Sequence, residues 1–204
     1  PFAEVISGYT AFYLGAKSVN PDVTMDIMYT NSWNDPTVEA QVAKALIDRG
    51  CDVISQHSDS TAPATTAEEN GVWQVGYNND MIEAAPNASL ISPRIDWGIY
   101  VTEAVQAMID GEEIPVDWCK GLADGAVYLS PLNTDIAAEG TQEAIDEAQE
   151  KLISGDLHVF EGPLKGVSPE GEEYEVAEGE YYHEQEDASA PSWLYIVDGC
   201  TVVE

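Results

Sequence analysis

The sequence predicts an α/β fold built around a doubly wound parallel β-sheet. Three observations predict this class: helical and extended patterns alternate over the first 155 residues, the connections between them are short, and several extended runs are apolar throughout. Strands that are covered by helices on both faces read as continuous apolar runs, and such strands belong to parallel sheets.

The first helix is predicted over residues 3–17, where apolar side chains recur at helical spacing. It is expected to stop near Asn20-Pro21, because proline cannot continue a helix. Residues 23–30 follow with apolar side chains at every second position, which predicts the first strand.

The next two helix–strand units have clear boundary signals. Asp35 can cap a helix, Pro36 suits its first position, and Gly50 can end it. We therefore predict a helix over 36–49, a strand over 51–55, a helix over 61–70 and a strand over 72–77.

The alternation continues more weakly beyond residue 77. The predicted elements are a short strand over 90–92, a helix over 96–109, a strand over 126–130 and a long helix over 134–153. After about residue 156, glycine, proline and serine punctuate short segments. We expect an irregular acidic tail with a hairpin and a last strand or helical turn, packed on the rest.

The charge of the chain is extreme, with 38 acidic residues against 7 basic ones and a formal net charge of −31. Nucleic acids and anionic lipid surfaces would repel such a chain, so both are excluded as partners. The acids are spread along the whole sequence rather than gathered in a tail, which indicates a halophilic surface adapted to high salt. No apolar run is long enough to predict a membrane-spanning helix in this stretch.

Polar and aromatic residues follow the predicted strands, at the edge where open parallel sheets bind ligands. The candidate ligand-binding residues are Trp33, His57, Asp59, Asn78, Asp80 and Trp97. Arg94 is the one cation near these strand ends, whereas a phosphate or dicarboxylate usually requires several. The pattern therefore favours a neutral, planar ligand read by amides, carboxylates and aromatic faces, with no cofactor and no metal.

Each candidate also has a simpler interpretation. Residues 31–35 can be only a loop and a helix cap, and His57 can be a surface or capping residue. Ser58 lies beside His57 and Asp59, but no G-x-S-x-G turn is present, so serine hydrolysis is disfavoured. A carboxylate-based hydrolase using acids such as Asp59 and Asp80 remains an alternative, although an acidic surface supplies such residues anyway.

Several motifs occur in an order that resembles the basic membrane protein family of ABC-importer substrate-binding lipoproteins, which includes purine nucleoside receptors. The matching stretches include Gly15-Ala-Lys-Ser-Val-Asn-Pro21, Tyr29-Thr-Asn-Ser-Trp33, Gln56-His-Ser-Asp59, Gly76-Tyr-Asn78 and Trp193 to Gly199. The resemblance covers nearly the whole chain, and the ordered set is specific although each motif alone is weak.

The resemblance implies a type I periplasmic binding protein fold with two doubly wound lobes and the ligand in the cleft between them. On that template residues 1–95 are the second, C-terminal lobe, and residues 96–130 cross over to contribute to the first lobe. Residues 131–165 are the return helix, and residues 166–204 are an acidic irregular segment that packs at the hinge or first lobe. Most of the first lobe is then expected to be absent, so that the chain is truncated at its N-terminus.

The resemblance also implies a function: an extracytoplasmic solute-binding component of an ABC importer that catalyses nothing. Its partners are a small neutral ligand, a purine base or nucleoside, and a membrane permease. It is expected to be periplasmic or on the cell surface, held by a lipid anchor outside this segment. A ligand-sensing receptor domain of the same fold is the alternative.

Two departures from the family bear on the ligand. Nucleoside-binding members grip the ribose hydroxyls with an aspartate where this chain has Asn78, and they carry a lysine where it has Pro93. The sequence is more similar to members that hold a free purine base.

Overall fold

The computed structural model describes residues 2–184 and 189–203. Its helices are α1 (Ala3–Val19), α2 (Pro36–Asp48), α3 (Ala62–Asn70), α4 (Trp97–Asp110) and α5 (Thr141–Ser154), with a 3-10 turn at Leu122–Asp124. Its strands are β1 (Met25–Ile27), β2 (Val53–Ser55), β3 (Trp73–Val75), β4 (Pro93–Ile95), β5 (Val127–Leu129), β6 (Leu164–Val167), β7 (Glu173–Val176), β8 (Ile196–Val197) and β9 (Cys200–Val202).

Helix α2 begins as its sequence predicts. The Asp35 carboxylate accepts hydrogen bonds from the backbone N–H groups of Thr37 and Val38, both at 3.1 Å, and Pro36 occupies the first turn. This cap satisfies two donors that no helical carbonyl can reach. It fixes the point at which the chain leaves the loop after β1 and turns into the helix.

Strands β2 and β3 are parallel, with Ile54 opposite Gln74. Residues 89–93 continue the ladder on the far side of β3, since Gly76 N–H donates to Ile91 (2.9 Å) and Asn78 N–H to Pro93 (2.9 Å). The predicted strand at 90–92 therefore lies in the sheet as an extended segment. The regular strand β4 comes just after it and pairs antiparallel with β5.

Strand β1 belongs to a separate parallel ladder, in which it pairs with β9 and Met25 lies opposite Cys200. Within residues 2–184 and 189–203, no ladder joins β1 to β2. The parallel strands thus form two ladders with a cavity between them, rather than one continuous sheet.

The C-terminal segment folds into a three-stranded antiparallel sheet in the order β7-β6-β8. Fully buried Trp193 stacks on Phe160 with ring centroids 4.7 Å apart, and both belong to a core that includes Ile6 of α1 and Ile27 of β1. The predicted hairpin is present as β6 and β7, and this segment packs on α1 and β1. The wider lobe boundaries predicted from the sequence stay a prediction.

A second core lies under the other ladder. Ala43 of α2, Ala64 and Ala67 of α3, Ile54 of β2 and Met81 form it. Small side chains dominate it, so the two helices lie close to each other and to β2.

The long helix predicted over 134–153 is shorter in the structure. It begins at Thr141, and residues before it form turns that end at Gly140, whose φ of 84° lies in the left-handed region. A residue in this conformation cannot continue a right-handed helix, so α5 cannot extend back through Gly140 to residue 134 as predicted. Across the described part of the chain, no helix is both long and apolar enough to cross a membrane.

Candidate functional site

The ends of β1, β2 and β3 bring four of the predicted residues to one edge. The backbone N–H of Asp59 donates to the carbonyl of Trp33 at 2.8 Å, which ties the loop after β2 to the loop after β1. The His57 ring lies 4.6 Å from the Tyr77 ring, which ties the loop after β2 to the loop after β3. Asn78 directly follows Tyr77, so Trp33, His57, Asp59 and Asn78 share this edge.

Helix α1 closes the same edge from its N-terminal end. Phe2 stacks on Trp33 with ring centroids 6.0 Å apart and an angle of 14° between the planes. A Cβ atom on Gly8 would lie 2.0 Å from Nε2 of His57, so the imidazole rests directly on the helix backbone. Position 8 therefore has to be glycine for His57 to keep this place.

Burial shifts the pKa of His57 and that of Tyr77, the two rings in the centre of the site. It lowers the pKa of His57 to about 4, so the imidazole is neutral near pH 7 and offers one donor and one acceptor. Burial also raises the pKa of Tyr77, and the nearby negative charges of Glu4 and Asp59 add to that effect. The site thus combines neutral aromatic groups with carboxylates at its margin.

Two buried glutamine side chains hold the loop that carries His57. Gln56 donates through Nε2 to the carbonyls of Ser58 (2.9 Å) and Ser60 (2.8 Å). Gln74 in β3, which is fully buried, donates to Oε1 of Gln56 at 3.1 Å. These hydrogen bonds fix the path of residues 56–60 relative to β3.

Glu39 fixes the other side of the same loop. It is only 1% exposed, and its carboxylate accepts from the backbone N–H and the hydroxyl of Ser60 at 3.2 and 2.5 Å. It also accepts from the backbone N–H of Asp35 at 2.9 Å. One side chain therefore joins the loops after β1 and β2, and the sequence analysis did not single it out.

Asn31 and Asn78 both have positive φ, at 54° and 58°. Asparagine is among the few residues other than glycine that adopt this conformation readily. At Asn78 it turns the chain at the end of β3, where the backbone N–H is held by Pro93 at 2.9 Å.

Among the described residues, no hydrogen bond or ring contact joins Asp80 or Trp97 to the four gathered residues. The Asp80 carboxylate accepts from the backbone N–H of Ile82 at 3.0 Å, which is a local turn. Trp97 is the first residue of α4 and is 67% exposed. Among the described residues, no cluster of histidine, cysteine or carboxylate side chains could hold a metal ion.

Sequence reasoning did not single out Phe2, Gly8, Glu39 or Gln74, and it noted Gln56 and Tyr77 in the matching motifs without assigning them a role in the site. Glu39 carries one usable signal, an acid in the first turn of a helix that Asp35 caps. For Gly8 no local signal exists, because its partner His57 lies far along the chain.

A cavity of about 910 Å³ opens at this edge and runs between β1 and β2. Phe2, Trp33 and His57 line its aromatic mouth, whereas its body is lined by apolar residues of α1 and α2 such as Phe12 and Leu46. Asp59 and Asn78 lie at the same edge of the sheet but outside the lining of this cavity. The mouth can hold a flat ligand against these aromatic faces.

Residues 1–157 match the Bmp family, described as "ABC transporter substrate-binding protein PnrA-like". This stretch includes every predicted site residue, so the family match covers the whole candidate site.

Two curated relatives and one solved structure show the same kind of protein. A purine-binding protein of Brucella abortus is 38% identical over 165 residues, covering 81% of this chain and 47% of the relative. A putative ABC transporter glucose-binding protein, TsgA13 of Haloferax volcanii, is 32% identical over 193 residues, covering 94% and 48%. A solute-binding protein of an ABC transporter system from Conexibacter woesei superposes with a TM-score of 0.61 at 20% identity, covering 77% of this chain and 53% of that one. The chain therefore spans about half the length of these relatives.

Proposed function

The chain belongs to the Bmp family of PnrA-like ABC transporter substrate-binding proteins, and from that premise we propose that it forms one wall of a cleft that captures a purine base or nucleoside. The family and its structural neighbours are substrate-binding proteins rather than enzymes. The α/β architecture agrees with that of solved solute-binding proteins. In this proposal the captured ligand is handed to an ABC permease.

The observation that carries the proposal is the meeting of aromatic faces and uncharged polar groups at one edge. Trp33 offers a face beside Phe2, and the neutral His57 ring lies against Tyr77. Asn78 can both donate to and accept from the edge of a heterocycle. A purine has a flat face for stacking and an edge with donors and acceptors, so it suits both features.

The charges near the site support an uncharged ligand. Arg94 lies over the Tyr128 ring at 5.3 Å, and the Arg49 guanidinium pairs with the Asp26 carboxylate at 2.7 Å. Arg49 is therefore neutralised by a carboxylate, whereas the buried Nε of Arg94 has no hydrogen-bond partner among the described residues. An anionic ligand would be repelled by the Asp59 and Glu4 carboxylates.

The proposed mechanism is closure of two lobes over the ligand. This chain supplies one wall, and the other half of the longer protein supplies the opposing wall. The ligand favours the closed state because only that state makes contacts on both sides of it. The closed form would then dock on the permease.

The two curated relatives favour different ligands. The name of the Brucella protein supports a purine, whereas that of the Haloferax protein supports glucose. We favour the purine because the neutral, aromatic mouth fits a flat heterocycle. The asparagine at position 78, in place of a ribose-gripping aspartate, further favours a free base over a nucleoside.

Calorimetric titration of the longer protein, expressed from its complete coding sequence, tests this function. Adenine is expected to bind more tightly than adenosine, guanosine or glucose. Asn78→Asp, which the left-handed backbone tolerates, is expected to shift the preference toward adenosine at least tenfold, and Asn79→Asp serves as the neighbouring control. Heat with glucose and none with any purine would reject the assignment.

The family is extracytoplasmic, and we propose that this member is held at the cell surface by a lipid anchor outside the present segment. Fractionation of cells that express the complete coding sequence tests this. The protein is expected in the membrane fraction until detergent releases it, and recovery in the free fraction without detergent would contradict the anchor.

A further inference from the structure

Glu39 is a fully buried carboxylate in the first turn of α2, next to the loops that carry the predicted site. No ion pair among the described residues includes it. Burying a charge without a cation is costly unless hydrogen-bond donors surround it. The acidic surface of this chain does not account for such a residue, because the other acids gain their hydration by staying exposed and Glu39 does not.

Three donors converge on this carboxylate and occupy both of its oxygens. Oε1 accepts from the backbone N–H of Asp35 at 2.9 Å, and Oε2 accepts from the backbone N–H and the hydroxyl of Ser60 at 3.2 and 2.5 Å. The Ser60 hydroxyl in turn accepts from the backbone N–H of Ala62 at 3.2 Å, at the start of α3. The carboxylate thus lies at the N-terminal ends of two helices, whose dipoles stabilise a negative charge there.

A helix cap explains only one of these bonds. A glutamate near the start of a helix can accept from the N–H of the capping residue, as Glu39 does with Asp35. The two bonds to Ser60 span 21 residues of sequence and reach a different loop. They have no part in starting α2, so they indicate a second role for this side chain.

The two loops that Glu39 joins both carry residues of the site. The loop after β1 includes Trp33, and the loop after β2 includes His57 and Asp59. The same loops meet again one residue from Ser60, where the backbone N–H of Asp59 donates to the carbonyl of Trp33 at 2.8 Å. The side-chain bridge and this backbone bond together fix the distance between the two loops.

The buried glutamines do not supply this connection. The hydrogen bonds of Gln56 and Gln74 to each other and to the carbonyls of Ser58 and Ser60 tie the loop after β2 to β3. They leave the loop after β1 to be held from another side. Glu39 provides that hold, because it accepts from one residue of each loop.

We propose that Glu39 is a positioning residue for the ligand, whose carboxylate sets the spacing between Trp33 and His57 at the mouth of the cavity. The inference rests on the proposed function for the identity of the ligand, but not for the contact between the loops. An aromatic face that is already in place binds a flat ligand more tightly, because ordering a loop during binding costs free energy. Loss of the bridge is therefore expected to weaken binding, although Glu39 itself does not touch the ligand.

Glu39→Gln in the longer protein tests this, because it keeps the shape of the side chain and replaces one acceptor oxygen with a donor NH₂ group. Either Asp35 or Ser60 then faces a donor instead of an acceptor. The affinity for adenine, measured by calorimetry, is expected to fall at least tenfold. Glu69→Gln, at an exposed position of α3, removes the same charge and is expected to leave the affinity unchanged.

Hydrogen exchange separates positioning from a general loss of stability, and it needs no ligand. In the Glu39→Gln protein, the Asp59 amide is expected to exchange at least tenfold faster relative to the Gly76 amide, which is bonded within the sheet to Ile91. Val197→Ala, at a buried position of β8, is the control for stability. It is expected to lower the melting temperature and to leave the adenine affinity unchanged.

Ser60→Ala gives a second measurement that keeps the carboxylate. It removes the hydroxyl donor and leaves the backbone donor, so a loss of adenine affinity of about threefold is expected. The double variant with Glu39→Gln is expected to bind no more weakly than Glu39→Gln alone, because both changes act on one contact. Losses that multiply in the double variant would contradict a shared contact.

An unchanged adenine affinity in the Glu39→Gln protein would overturn the proposal. Equal acceleration of the Asp59 and Gly76 amides would also overturn it, because Glu39 would then act on the stability of the whole fold. If the unsubstituted protein binds no adenine, the purine assignment fails, whereas the exchange of the Asp59 amide still decides the role of Glu39. Failure of the two proposals is therefore distinguishable.

Discussion

Single residues at the mouth of the cavity depend on partners that are far away in the sequence. His57 rests on the backbone of Gly8 and against the ring of Tyr77, and Glu39 joins the loops after β1 and β2. Apart from Glu39 and Asp35, which are four residues apart, these pairs are distant in the sequence, so their chemistry arises only when the chain is folded. Such contacts are where substitutions are expected to act most strongly.

Gly8→Ala tests the closest of these contacts. A Cβ at this position would lie 2.0 Å from Nε2 of His57, whereas a Cβ at Gly15 in the same helix would meet nothing within 4 Å. We expect Gly8→Ala to lower the free energy of unfolding by about 1–3 kcal/mol through overpacking. Gly15→Ala is expected to raise it by roughly 0.5–1 kcal/mol, as for any open helical glycine. Urea unfolding measures both, and equal effects would show that His57 does not rest on α1.

The depressed pKa of His57 predicts how stability changes with pH. In the unfolded chain the imidazole titrates near its ordinary pKa of about 6.5, whereas in the fold its pKa is about 4. The unfolded state therefore takes up a proton first, so this contribution to stability is complete above pH 6.5 and is lost as the pH falls toward 4.

Urea unfolding at pH 7 and pH 5 checks this sign against His57→Phe, which keeps a ring between Gly8 and Tyr77. The carboxylates titrate alike in both proteins, so the difference between them reports His57. The unsubstituted chain is expected to lose up to about 2 kcal/mol more than the variant between these pH values. An equal loss in both would mean that His57 is solvated in the fold.

At the level of helices and strands, local signals predicted most of the fold. Asp35-Pro36 set the start of α2, and the predicted order of helices and strands through β3 is that of the structure. The early start predicted for α5 failed because the left-handed Gly140 ends the turns before it, and composition alone does not show φ. The gap between β1 and β2 could not be predicted either, because periodicity shows which residues form strands but not which strands are neighbours.

Helix α4 shows a pattern that sequence reading takes for a core-facing helix. Its apolar residues recur at helical spacing, yet none of its residues is buried. The exposed side chains form one stripe: Trp97, Val101, Val105, Met108 and Ile109. An apolar stripe of this kind on an isolated chain binds dyes and other molecules nonspecifically.

Replacing two residues of this stripe tests whether α4 is unpartnered in the 204-residue chain. Val105→Gln with Met108→Gln is expected to reduce the fluorescence of a bound apolar dye about twofold. Surface substitutions usually change stability by about 0.5 kcal/mol or less, so the melting temperature should hardly move. Ile6→Gln, at a fully buried position, is the control and is expected to unfold the chain. A large loss of stability in the α4 variant would show that the stripe is packed.

The molecule as a whole combines a fold with two separate cores and a surface of very high negative charge. Its 38 acidic residues face only 7 basic ones. Ion pairs among the described residues, such as Arg49 with Asp26 and Lys165 with Glu175, are partly exposed and each neutralises one acid. Most carboxylates therefore repel one another in the folded state, and exposed pairs of this kind contribute little to stability.

Salt is expected to stabilise this chain strongly, because mobile ions screen the repulsion among carboxylates that folding brings together. The screening length falls from about 10 Å at 0.1 M salt to about 3 Å at 1 M. We expect the melting temperature to rise by roughly 10 °C or more between 0.1 and 2 M potassium chloride, since a few kcal/mol shift a domain of this size by that much.

Equimolar sucrose is the control, because it strengthens apolar burial without screening charge. A melting temperature that rises equally in sucrose, or not at all in salt, would contradict a halophilic surface. Potassium chloride and potassium sulfate at matched ionic strength then separate charge screening from salt-enhanced apolar burial. Screening is the same for the two salts, whereas the strengthening of apolar burial differs between the two anions.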